Sequence, residues 1–150
     1  MKKLILAAIF CLFAATSFAQ NNALGLRAGG GAELQYERLL NSGNILKVNA
    51  GLFDFDGSFF GTVVHNWEIC NWGNSDNWFL QLGAGGAVGL YDDGDSSDIN
   101  LGVAGNAAVG IHFKGAPITL AVDYRPTLLF LNGASGKGFG NWGLSCVFHF

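Results

Sequence analysis

From Leu24 to Phe150 bulky apolar residues alternate with small or polar ones, residue by residue, in eight successive runs. A period of two marks a strand whose two faces meet different surroundings. The last run is the clearest: Trp142, Leu144, Cys146, Phe148 and Phe150 fall on one face, and Gly143, Ser145, Val147 and His149 on the other. Ile118, Leu120, Val122 and Tyr124 alternate in the same way with Thr119, Ala121, Asp123 and Arg125. Leu101, Val103, Ala107, Val109, Ile111 and Phe113 oppose Gly102, Ala104, Asn106, Ala108, Gly110 and His112. Trp78, Leu80, Leu82 and Val88 oppose Phe79, Gln81, Gly83 and Ala87. The first half repeats the pattern in shorter runs, with Leu24 and Leu26 against Gly25 and Arg27, Leu34, Tyr36 and Arg38 against Glu33, Gln35 and Glu37, and Leu46 and Val48 against Lys47 and Asn49. Between Ser58 and Ile69 the faces are less distinct. There Phe59, Val63, His65, Trp67 and Ile69 are assigned to the apolar face, and Phe60, Thr62, Val64, Asn66 and Glu68 to the other.

Turn-forming residues separate the runs at Gly29–Gly31, Asn41–Asn44, Asp54–Gly57, Asn71–Asn77, Asp92–Asp98, Lys114–Pro117 and Asn132–Gly138. Connections this short join antiparallel neighbours. The two faces differ in size as well as polarity, and size decides where such a sheet can fold. Glycine supplies 23 of 150 residues, and those outside the turns sit largely on the polar face. Small side chains cannot shield the outside of a water-soluble barrel, but they fit the narrow lumen of an eight-stranded one. Lipid tails accept the bulky apolar face directly. The expected fold class is therefore all-β, an eight-stranded antiparallel up-and-down transmembrane β-barrel. Eight spans of ~10 residues use ~80 residues, and the remainder of residues 20–150 suits seven turns and short tails. The competing arrangement is a soluble lipocalin-like binder, which turns the apolar face inward.

The first nineteen residues are set apart. Lys2 and Lys3 precede a twelve-residue apolar run, Leu4–Ala15, and the small residues Ser17 and Ala19 stand at the −3 and −1 positions of a cleavage site. This is the pattern of a secretory signal peptide cleaved after Ala19, with residues 20–150 as the barrel domain. The run is short for a bilayer-spanning anchor, and Phe10 stands where a lipoprotein needs a small residue before Cys11. Elsewhere glycines and charges interrupt every apolar stretch, so a membrane form must be a closed barrel. Loss of Lys2 and Lys3 leaves six basic against eleven acidic residues, a net charge of −5. No basic footprint for nucleic acid follows from that balance. Cys70 and Cys146 fall four strands apart, on opposite sides of a barrel, and are expected to stay unpaired.

The face assigned to the lumen carries Arg27, Glu33, Glu37, Lys47, Glu68, Asp123 and Arg125, three basic and four acidic residues. Buried charges persist when paired, and near balance is what a self-neutralising network needs. Such a network reads as structural filling of a side-chain-packed lumen. Aromatic residues mark two levels, Trp67, Trp78, Phe113, Phe148 and Phe150 at one end of their strands and Phe59, Tyr91, Phe130 and Trp142 at the other, as in membrane-interface belts. Pro126 lies inside the seventh strand, where a closed sheet offers no free edge, and predicts a bulge or a kink.

With its stretches LGLRAGGGAELQYE, GLYDDG, LGVAGNAAVGI and LAVDYRP, the chain resembles the small outer-membrane barrels of the OmpX and OmpA-transmembrane-domain type. It is similar, more closely, to the short secreted outer-membrane β-barrel proteins of Gram-negative bacteria such as the Bacteroidetes. The resemblance implies that both termini face the periplasm and that the connections after odd-numbered strands face outward. It also implies that the last strand, Trp142, Leu144, Cys146, Phe148 and Phe150, is the insertion signal read by periplasmic chaperones and the outer-membrane assembly machinery.

Some barrels of this size modify lipid A with a His and a Ser at their outer end. Here His65, His112 and His149 fall late on inward-running strands, and Ser145 and His149 stand ~13 Å apart at i and i+4 of a strand. Neither fits a nucleophile–base pair. The acidic stretch Asp92–Asp98 lacks the EF-hand glycine and twelfth-position glutamate, so a solvated loop is the favoured reading over a cation site. GAGGAVG, Gly83–Gly89, lacks dinucleotide-loop spacing, and no motif for any cofactor appears. The expectation is a non-enzymatic envelope barrel embedded in the outer membrane. A small-solute leak channel and a loop-mediated ligand-binding barrel remain as alternatives.

Overall fold

The structure, a computed structural model, describes residues 21–41, 43–53, 58–74, 77–92, 97–130 and 137–150. The proposed signal peptide with Ala19, and the acidic residues Asp93 and Asp95, lie outside the described residues. Eight strands follow one another: β1 (Asn22–Ala28), β2 (Gly31–Asn41), β3 (Asn44–Phe53), β4 (Ser58–Trp72), β5 (Trp78–Asp92), β6 (Ser97–His112), β7 (Ile118–Leu129) and β8 (Lys137–His149). Each pairs antiparallel with the next, and β1 closes on β8, so the sheet is a barrel without an edge. Closure satisfies the backbone hydrogen bonds that an open sheet leaves bare on its outermost strands. Asn22 and Phe150 exchange backbone bonds of 3.3 and 2.8 Å, which brings the start of β1 and the end of β8 to one end of the barrel, called here the terminal end.

The strands are staggered. From Leu24 the cross-strand pairs run through Tyr36, Val48, Val63, Gly86, Val103 and Leu128 to Gly138. Leu24 itself pairs with Phe148, ten residues further along β8. A stagger of that kind requires strands tilted ~35–45° to the axis, the usual geometry for eight strands. Each row of paired residues thus climbs from the terminal end at β1 to the far end at β8.

Two features depart from simple alternation. The β4–β5 register shifts between Glu68 and Cys70, so Ile69 is an extra residue and both Ile69 and Cys70 face outward. A bulge of this kind lets one strand change the phase of its faces. A second shift between Leu39 and Asn41 precedes the β2–β3 turn, where Gly43 has φ +80°. No such shift occurs at Pro126. The register on both sides of β7 is continuous, but the β6–β7 ladder opens over the positions facing Gly105 and Asn106. A Cβ on Gly105 would press against the Pro126 ring, so the missing side chain opposite makes room for the proline. Of the bulge or kink expected there, the bulge is absent, and the ladder opens instead.

Leu26, Leu34, Val63, Leu101, Val103, Val122, Leu128 and Leu144 all stand at 46 % exposure or more on the outer wall. Arg27, Gln35, Asn66, Gln81, Asp123, Arg125 and Thr127 are all at 4 % or less inside. The chain has turned its polar face inward.

Candidate functional site in the barrel lumen

Five strands meet at one cluster of charge. Arg27 on β1 points inward because Leu26 and Ala28 face out. Its Nε donates to both oxygens of Asp123 on β7, at 2.9 and 3.0 Å, and Nη2 donates to the same carboxylate at 2.6 Å. Nη1 donates to Glu33 on β2 at 2.7 Å, and Nη2 also reaches the Asn141 side chain on β8 at 2.9 Å. The second Glu33 oxygen accepts from Arg125 Nη1 at 2.7 Å, and the same nitrogen lies 3.2 Å from Thr62 on β4. Two guanidinium groups and two carboxylates therefore cancel in a buried space. Charge-assisted bonds at these lengths are the strong class. Arg27 lies flat over Gly143, where a Cβ would overlap the guanidinium.

A second pair lies nearer the terminal end. Lys47 Nζ is 3.2 Å from Glu37, whose carboxylate also accepts from Gln35, and Gln35 accepts in turn from Asn49. Asn106 donates to Asn66 at 2.7 Å, across a gap that the bare Gly83 leaves open. Six of the seven charges expected in the lumen are thus in two neutral groups. The seventh, Glu68, stands apart at the terminal end, bound by Asn71 at 2.8 Å and 3.9 Å from His112.

The terminal mouth holds a further polar chain that the sequence reading does not assemble. Thr119 Oγ1 lies 2.7 Å from His112 Nδ1 and 2.7 Å from His149 Nε2. A hydroxyl has one proton and two lone pairs, so Thr119 donates to at most one of the two imidazoles and accepts from the other or from both. The signal for this contact is the β6–β7 hairpin itself: its register pairs His112 with Thr119. Thr119 is buried and held between the two rings, a contact that closes the mouth. Ser145 bonds weakly to the Ala121 carbonyl at 3.4 Å. His65 is on the outer wall, with Asn44 3.1 Å away.

Apolar side chains occupy the lumen as well. Phe60, Val64, Ala87, Ala104 and Leu129 form a buried cluster toward the far end, and Phe79 is buried near the mouth, stacked on His112. Phe60, Val64, Phe79, Ala87 and Ala104 thus lie on the face to which the alternation assigns them. On the outer wall Trp67, Trp72, Trp78 and Phe113 are exposed toward the terminal end, and Phe59, Leu90 and Phe130 toward the far end. Trp142 sits beside Tyr124 within β8, ring centroids 5.1 Å apart, and not at a strand end.

One solved structure matches this arrangement: the N-terminal β-barrel domain of Pseudomonas aeruginosa OprF, with a TM-score of 0.59 over 87 % of this chain and 98 % of that one, at 16 % identity. The two share a fold. No protein-family profile and no curated protein matches the chain by sequence. Among the described residues no group of three or more His, Cys, Asp or Glu side chains is placed to hold a metal ion.

Proposed function

We propose that this chain is a non-enzymatic integral outer-membrane β-barrel, delivered by a cleaved signal peptide, whose filled lumen gives it a structural role in the cell envelope. The observation that carries the reading is the inversion of the barrel: a continuous apolar outer wall around a charged, paired interior. In water that wall would be a hydrophobic patch far beyond the few hundred Å² that soluble monomers tolerate. In a bilayer it is the required surface. The fold shared with the OprF β-barrel domain supports the same architecture. The last strand, with Trp142, Leu144, Cys146 and Phe148 outward and Phe150 at the end, is the segment that assembly machinery and periplasmic chaperones would read.

The test is folding with and without amphiphile. The exported protein in detergent or lipid should give a β-type circular dichroism spectrum and run at different positions on a gel before and after boiling. A chain that folds and stays soluble without amphiphile refutes the membrane reading.

A narrow leak is the second reading, and one observation favours it. Gln81 Oε1, Asn100 Oδ1, Thr127 Oγ1 and Arg125 Nε are buried in the lumen without a protein hydrogen bond. Buried polar atoms of this kind take water as partner, and a water file is a path for small solutes. Planar-bilayer recording separates the two: a plugged barrel gives no steps.

A further inference from the structure

Resting on the membrane reading above, we infer that the outer wall of β1–β4 carries a binding site for the headgroup of an anionic phospholipid, centred on Arg38. Among the strand residues whose exposure is described, Arg38 alone is both exposed and of fixed charge. It is exposed, and no ion pair or hydrogen bond holds it among the described residues. A cation on a wall meant for hydrocarbon is costly unless it reaches the interface and finds a counter-charge there.

The stagger of the strands puts Arg38 at that interface. Its cross-strand neighbour is Asn22, which pairs with the terminal residue Phe150 at the barrel end. Trp67 lies at the same end of β4, in register with Asn44, and is 45 % exposed. Interfacial tryptophans mark the headgroup level.

The surrounding polar groups are in place and already oriented. Tyr36 donates to the Asn22 side chain at 2.8 Å, and His65 lies 3.1 Å from Asn44. The His65 ring stands 4.8 Å from Trp67. Arg38 and His65 share one row of cross-strand pairs through Leu46, so they flank a strip about 10 Å wide, two inter-strand spacings. No outward acidic side chain among those described opposes an anion there. The fork of a guanidinium matches phosphate oxygens, and Leu46, Val48 and Val63 offer the adjoining wall to acyl chains.

The test uses a Trp72→Phe, Trp78→Phe, Trp142→Phe protein that keeps Trp67 as its single tryptophan. It is reconstituted in phosphatidylcholine vesicles doped with either brominated phosphatidylglycerol or brominated phosphatidylcholine. Quenching of Trp67 reports which lipid lies beside β4. The expected result is about five-fold enrichment of the anionic lipid, the factor that one basic residue beside anionic lipid supplies. The enrichment should vanish in Arg38→Gln, survive in Arg38→Lys, and fall as salt rises. Equal quenching by the two lipids overturns the headgroup site while leaving the membrane barrel intact. Enrichment that persists in Arg38→Gln overturns it too. Quenching by neither lipid overturns the membrane reading and the site together.

Discussion

Removing the Asp123 carboxylate, as in Asp123→Ala, should unfold the barrel more easily than any single change on its outer wall to another apolar residue. Asp123 takes two of Arg27's N–H groups, one of them shared between its oxygens, and the Arg27 side chain has no exposed surface. Without it Arg27 keeps Glu33 and Asn141 but loses its nearest counter-charge, and Arg125 already claims the other oxygen of Glu33. Two cations would then share one carboxylate in a buried space. Stranding one member of a buried pair costs about 3–5 kcal/mol. At a urea dependence of about 1–3 kcal/mol per molar, the midpoint should fall by at least about 1 M. Tryptophan fluorescence and the unboiled gel band, followed across urea in lipid vesicles, read the loss. The double variant Arg27→Met with Asp123→Leu leaves Glu33 and Arg125 as a balanced pair and should recover most of the stability, because apolar replacements of a whole buried pair are often neutral. A loss under about 1 kcal/mol in Asp123→Ala, the worth of a surface ion pair, refutes the reasoning. So does a double variant as unstable as the sum of its parts.

Gly143→Ala should force Arg27 off its seat and destabilise by about 1–3 kcal/mol, whereas Gly115→Ala, whose added methyl meets nothing within 4 Å, should be nearly silent in the same urea titration. Val63→Arg places a charge on the outer wall and should cost about 2–4 kcal/mol in vesicles if that wall faces lipid; an effect within about 0.5 kcal/mol, as on a soluble surface, refutes it. Phe148→Ala with loss of Phe150 should lower the share of heat-modifiable protein recovered in membranes of an exporting host, with export itself unchanged; full recovery refutes the insertion-signal reading.

Much of this was legible because a strand's period is an integer. Leu24, Leu46, Leu101 and Trp142 announce their faces two residues at a time, and Arg27, Glu33, Asp123 and Arg125 follow inward by parity alone. Parity fails where the count slips. Nothing local distinguishes Ile69 as the residue that bulges out and carries Cys70 with it. Contacts across the barrel are also invisible to parity. Which carboxylate meets Arg27 depends on the stagger accumulated around eight strands, and Asp123 is 96 residues away. Inward aromatics such as Phe60 and Phe79 look like outer-wall residues by composition, and only their phase shows otherwise. Pro126 reads as a defect until Gly105 is seen opposite it.

The ion cluster also has a place in time. Arg27 and Glu33 come from the first two strands, and Asp123, Arg125 and Asn141 from the last two, so the cluster straddles the seam where β1 meets β8. Until the seam shuts, the β1–β2 hairpin can join Arg27 to Glu33, but Asp123 and Arg125 lack their partners from β1 and β2. The bonds from Arg27 to Asp123 and from Arg125 to Glu33 form only in the cylinder. A sheet that joins its ends in the wrong register leaves Arg27 opposite the wrong neighbours and gains none of these bonds. The lumen charges therefore act as a proofreading clasp on closure, and disabling them should slow the final zipping of β1 to β8 while leaving the earlier hairpins to form at their usual rate.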